Sequence, residues 1–224
     1  MTGHSSRASG TFLFRDGAVC RIGSFSFPAS DWKPNQAWAV LKFVFDGAEW
    51  QYGAGDWTLD ASGFAEEYRD HFAVEARGKG LILKPAVGTT FTADWPITGE
   101  GPVVVDGPGT VKLGAGATSF AGGALVRQGT FDASGRTVAI RLEPDAGLPT
   151  LRDCAPQGRI QVDMGGADYE KGATFTVARL SGSTPFKFKA VNFADPELYG
   201  YFTVEDGVVT MTVGDKPGFT IIVR

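Results

Sequence analysis

Histidine, cysteine and methionine are scarce in this 224-residue chain, at two, two and three copies. That scarcity removes several chemistries at once. Cys20 and Cys154 lie far apart, with no metal-ligand spacing and no neighbouring histidine, so no zinc motif is present. A chain this long needs no disulfide to hold a core, and both cysteines read as buried free thiols, with a Cys20–Cys154 bridge as the other option. Long apolar runs are missing too, and nothing approaches the ~20 residues of a membrane-spanning helix. The 21 basic and 25 acidic residues are interspersed and leave a net charge of −4. There is no cationic stripe to neutralise phosphates, which argues against nucleic acid as a partner. Gly107–Leu113 lacks a Gly-Lys-Ser/Thr ending, and no helix follows the glycine dyads. A P-loop and a dinucleotide fingerprint are therefore excluded, and no cofactor is expected. No G-x-S-x-G elbow surrounds a serine, Ser24-Phe25-Ser26 included, and Gly165-Gly166-Ala167-Asp168 does not repeat as a calcium-binding nonapeptide would.

Glycine, by contrast, is abundant: 31 residues, about twice the ordinary share. Frequent glycine means frequent sharp turns, because glycine takes positive φ without steric cost. Between the turns run short apolar or alternating segments. The strands expected are Thr11–Phe14, Val40–Phe45, Phe72–Glu75, Gly80–Leu83, Val103–Val105, Thr110–Leu113, Ala124–Arg127, Thr137–Leu142, Arg159–Val162, Thr174–Leu180, Phe186–Val191, Tyr201–Glu205, Val208–Val213 and Phe219–Val223. Helical turns are expected only at Phe64–His71 and Asp195–Tyr199, each too short to stand alone. Such a pattern fits a sandwich, a barrel or a solenoid. One internal echo favours stacked units. Phe12-Leu13-Phe14-Arg15-Asp16-Gly17-Ala18 recurs as Phe43-Val44-Phe45-Asp46-Gly47-Ala48. Near the C-terminus, Asp206-Gly207 between two alternating segments signals a hairpin with a type I′ turn.

Residues 98–131 carry a more specific pattern. Gly99-Glu100-Gly101 is followed by Gly107-Pro108-Gly109-Thr110-Val111-Lys112-Leu113, then Phe120, Gly122-Gly123, the strand Ala124-Leu125-Val126, and Gly129-Thr130-Phe131. The segment resembles the autotransporter-associated β-strand repeat of bacterial surface proteins. It departs from that repeat at Thr118-Ser119-Phe120, where the family has Asn-Thr-Tyr, and at Ala124, where it has Thr. The resemblance implies an all-β, right-handed parallel β-helix on an exported protein, with a β-sandwich as the alternative fold. The expected organisation is a disordered segment over 1–10, β-helix coils over 11–157 and an antiparallel cap over 158–224, which would cover the last rung. Met1–Gly10 has no apolar core of a signal peptide. On family grounds the chain is expected to be part of a larger precursor, placed outside the cell or on its surface.

His4 lies in the polar N-terminal stretch. His71 ends Glu66-Glu67-Tyr68-Arg69-Asp70-His71, a cluster that could serve acid–base or metal chemistry but reads first as a solvated turn. Asp163, Asp168, Glu170, Asp195 and Glu197 are available as paired carboxylates for glycoside cleavage. All five tryptophans (Trp32, Trp38, Trp50, Trp57 and Trp95) fall in the first 95 residues. Exposed together they would form a platform for sugar rings; packed, they would fill the interior. The function expected is a non-catalytic structural or adhesive surface module, with glycans or cell-surface molecules as partners. A carbohydrate-binding module using the tryptophans is the alternative, and a polysaccharide lyase or hydrolase the least favoured reading.

Overall fold

The computed structural model describes residues 10–23, 41–60, 66–117, 120–145, 147–182 and 186–218. Residues 1–9, with His4, the expected strand at Phe219–Val223, and Trp32 and Trp38 lie outside them. The chain is all-β, with parallel and mixed sheets.

The strands follow as successive passes of the chain. The first pass holds β1 (Gly10–Arg15) and β2 (Val19–Arg21); the second holds β3 (Leu41–Asp46), β4 (Ala48–Gln51) and β5 (Trp57–Leu59). A third holds β6 (Phe72–Ala76), β7 (Leu81–Leu83) and β8 (Thr90–Ala93). Then come β9 (Ile97–Thr98), the long β10 (Val103–Leu113) and β11 (Ala124–Asp132). Two further passes hold β12 (Thr137–Val138), β13 (Ile140–Leu142) and β14 (Thr150–Arg152), then β15 (Ala155–Pro156), β16 (Ile160–Asp163) and β17 (Thr174–Ser181). The described part ends with β18 (Phe188–Val191) and the hairpin β19 (Leu198–Glu205) and β20 (Val208–Asp215).

Each pass pairs with the next in parallel. One ladder runs β1-β3-β6-β9 and is prolonged by a bridge from Ile97 to Phe120. A second runs β2-β4-β7, the first half of β10, the first half of β11, then β13-β16-β18. A third runs β5-β8, the second half of β10, the second half of β11, then β14-β17. Register puts like beside like. In the third ladder Trp57, Phe91, Val111, Phe131, Leu151 and Leu180 form one inward column, and the four from Phe91 to Leu151 are fully buried. In the second, Leu83, Val105, Val126, Leu142 and Val162 form another, each 0% exposed. Alternation holds along each strand: in Phe72–Ala76 the inward Phe, Val and Ala are buried and the intervening residues are not.

The internal echo is a contact as well as a likeness. Phe12 pairs with Phe43 and Phe14 with Phe45, their rings 5.4 and 5.2 Å apart. The Asp16 and Gly17 N–H groups donate to the carbonyls of Asp46 and Gly47, both at 3.0 Å. The glycine dyads of residues 98–131 sit where neighbouring passes touch. A Cβ on Gly122 would lie 1.8 Å from the Gly101 carbonyl oxygen, and one on Gly129 would lie 2.0 Å from that of Gly107. No larger residue fits.

Several expected boundaries move. Val103–Val105 and Thr110–Leu113 belong to one strand, whose pairing slips around Asp106 as the chain turns a corner past Pro108. Thr137–Leu142 divides into β12 and β13 at Ala139. Glu66–His71 is a 3-10 turn, but Asp195–Tyr199 forms no helix. There the Asp195 carboxylate accepts the Glu197 N–H at 2.9 Å, and Leu198 and Tyr199 pair with β20 instead. Within the expected cap, β16 and β18 continue the parallel ladder, and antiparallel pairing is confined to β17, β19 and β20. Asp206 and Gly207 have φ of 50° and 75°, as a type I′ turn requires. Cys20 and Cys154 are both free and buried.

Candidate binding groove on the second ladder

Charged side chains gather where the second ladder ends and the chain turns. The residues following Leu83, Val105, Val126 and Leu142 are Lys84, Asp106, Arg127 and Glu143. These are charges of alternating sign just past the paired stretch, where the register slips and sets Asp106 beside Gln128. Lys84 Nζ lies 3.1 Å from Glu49 and 4.0 Å from Asp106. Arg127 grips Glu143 with two bonds, Nε at 2.8 Å and Nη2 at 3.3 Å. The Glu143 bond holds the Arg127 guanidinium above its already high ordinary pKa, with the charges of Glu143 and Asp106 adding to it.

One pass further on, Arg141 points outward from the middle of β13 and pairs with Asp163. Asp163 is the one buried charged side chain among the described residues, at 4% exposure. Its Oδ1 accepts the Gly165 N–H and the Asn192 side-chain amide, each at 2.9 Å. A buried carboxylate is tolerated when a cation and hydrogen-bond donors surround it in this way.

Of these, Asp106, Arg127, Arg141, Glu143 and Asp163 line an open groove of about 550 Å³, and Gln128, Asp145, Met164 and Tyr169 also face it. The Tyr169 ring is half-buried and stands edge-on to Phe175 at 5.3 Å and Phe193 at 6.3 Å. Burial, and then the charge of Asp145, push its phenol pKa up, so the hydroxyl keeps its proton.

The other candidate residues are placed differently. Trp50 is 1% exposed, lies against Phe45 at 5.3 Å and donates its indole N–H to the Ile22 carbonyl at 3.2 Å. Trp57 is half-buried between Tyr52 and Phe91 and donates to the Gly23 carbonyl at 2.7 Å. Trp95 is half-buried against Phe72 at 5.7 Å. These three pack among other aromatics. Of the acids, Asp163 joins the groove, whereas Asp168, Glu170, Asp195 and Glu197 are exposed. His71 is half-buried at the step from the 3-10 turn into β6, with Arg69 and Asp70 exposed before it. Among the described residues no three His, Cys, Asp or Glu side chains are grouped to hold a metal ion, and no helix is long and apolar enough to cross a membrane. Sequence reading picked out Asp163 and missed Arg127, Gln128, Arg141, Glu143 and Tyr169. The signal available was the alternating charge that recurs just after each apolar strand.

No family model matches the chain, and no curated protein or solved structure matches it either. The likeness of residues 98–131 to the autotransporter repeat rests on its motif alone.

Proposed function

We propose that this protein is a non-catalytic surface module of an exported bacterial protein: a right-handed parallel β-helix whose lateral face makes the contacts with other molecules. The observation that carries this reading is the parallel pairing of successive passes, from β2 through β18 in one ladder and from β5 through β17 in another. A connection between parallel neighbours in one sheet is right-handed in almost all proteins, which gives the hand. The glycine contacts at Gly107, Gly122 and Gly129 fall inside the autotransporter-like segment and agree with its role at coil corners. The ionisable side chains of the lateral face tie one pass to the next: Lys84 to Glu49, Arg127 to Glu143 and Arg141 to Asp163. Groups held in that way supply rigidity and a patterned surface.

The test is adhesion set beside turnover. Beads coated with the whole chain should adhere to cell surfaces above uncoated beads, while polysaccharides incubated with the protein stay intact. Release of reducing ends or unsaturated sugars would overturn the non-catalytic reading, and equal adhesion by bare beads would overturn the adhesive one.

A further inference from the structure

We infer that the groove between Asp106 and Tyr169 is a binding site for an uncharged oligosaccharide chain lying along the stack. The inference deepens the surface-module reading by giving its lateral face a ligand class. It starts from what the groove lacks. A phosphate, sulfate or uronate ligand needs free cations, but Arg127 and Arg141 are each engaged by a carboxylate. Four acids (Asp106, Glu143, Asp145 and Asp163) face those two arginines, so a polyanion meets net negative charge. A bound metal ion needs converging carboxylates, and no such group of three occurs among the described residues. The wall is mixed, with Pro144, Met164, Ala167 and the Tyr169 ring set among charged and amide side chains. A wholly apolar ligand would leave those polar groups without partners, while a ligand with both apolar faces and polar rims would not.

What the groove does offer suits hydroxyl groups. Ion pairing fixes the guanidinium and carboxylate planes in position, with donor and acceptor valences remaining on their outer edges. Gln128 is exposed and presents an amide, which both donates and accepts. Tyr169 adds a protonated hydroxyl and part of an aromatic ring, a combination suited to sugars, whose faces are apolar and whose rims are polar. The dimensions agree. The groove draws on β10, β11, β13 and β16, four neighbouring strands that span about 14 Å at ~4.8 Å per step. Its volume of about 550 Å³ lies within the range of ~300–1,000 Å³ typical of small-ligand sites.

The experiment is calorimetric titration of the full chain with neutral hexasaccharides (cello-, xylo- and manno-series), with an oligogalacturonate as the anionic probe and a chitosan oligomer as the cationic one. At least one neutral hexasaccharide should bind, and more tightly than either charged probe. Gln128→Ala and Tyr169→Phe should each weaken that binding roughly five- to tenfold, the equivalent of one hydrogen bond, with melting temperature unchanged. Trp57→Phe, away from the groove, should leave it unaltered. Failure of all three neutral series, preference for either charged probe, or binding indifferent to both groove variants would overturn the inference. Adhesion without neutral-sugar binding would sink the groove alone. Binding followed by cleavage would sink the non-catalytic reading and leave the groove standing.

Discussion

At the scale of single residues, each buried polar group must find a partner or carry a penalty. Asp163 meets this requirement through Arg141, Asn192 and the Gly165 N–H. Tyr52 does not: its hydroxyl is buried with no hydrogen-bond partner among the described residues. Burial, with help from Asp56, pushes its pKa up to about 12. The ring itself is well packed, 4.9 Å from Phe91 and 5.6 Å from Trp57. Tyr52→Phe keeps that packing and deletes the orphan hydroxyl. It should leave stability unchanged or raise it by about 1 kcal/mol, as urea denaturation would report. A loss above about 1 kcal/mol would mean that the hydroxyl has a partner.

At the scale of elements, legibility in the sequence followed the strength of the local apolar pattern: the three residues Leu81–Leu83 were readable, whereas the four residues of β4 and of β8 were not. Long alternating strands such as β17 and β20 were readable, as was the hairpin turn, because their patterns are local. The short strands β2, β5, β8 and β14 were not. Trp57-Thr58-Leu59 offers two inward residues between polar stretches, too few to show a period. What makes it a strand is the neighbouring pass, which places Phe91 beside Trp57 and Ala93 beside Leu59. The groove was hidden for the same reason, since Asp106, Arg127, Glu143 and Asp163 meet only once the register is known. The hairpin gives a test at this scale. Gly207 has φ of 75°, and an added Cβ would meet the Leu180 carbonyl oxygen at 3.0 Å. Gly207→Ala should therefore cost about 1–2 kcal/mol, and at this chain length about 2–4 °C in Tm per kcal/mol. An unshifted melt would place the turn elsewhere.

At the scale of the whole molecule, the passes are held by apolar columns inside and by ion pairs outside, and pH separates the two. Glu75 is tied to Arg77, just past the end of its own strand, and to Lys42 on the neighbouring strand. The Arg77 hydrogen bond first, then that of Lys42, holds its carboxyl below the ordinary value of 4.5, against the opposing effect of burial. A carboxyl depressed in the folded state stabilises the fold above its unfolded pKa, and that contribution fades as pH falls through the folded value. Wild-type stability should thus decline below about pH 4.5, and Glu75→Gln should decline less steeply there while being weaker at pH 7. Parallel acid profiles for the two proteins would exclude this role.

Whether successive passes lie side by side in parallel is decided most directly by inter-strand proton contacts in the NMR spectrum of the folded chain, across Leu83, Val105, Val126, Leu142 and Val162. The registers Leu83–Val105, Val105–Val126, Val126–Leu142 and Leu142–Val162 predict amide-to-Hα contacts of the evenly slanted parallel kind along the whole column. Close Hα–Hα contacts between these strands, the mark of antiparallel neighbours in a two-sheet sandwich, would contradict the account.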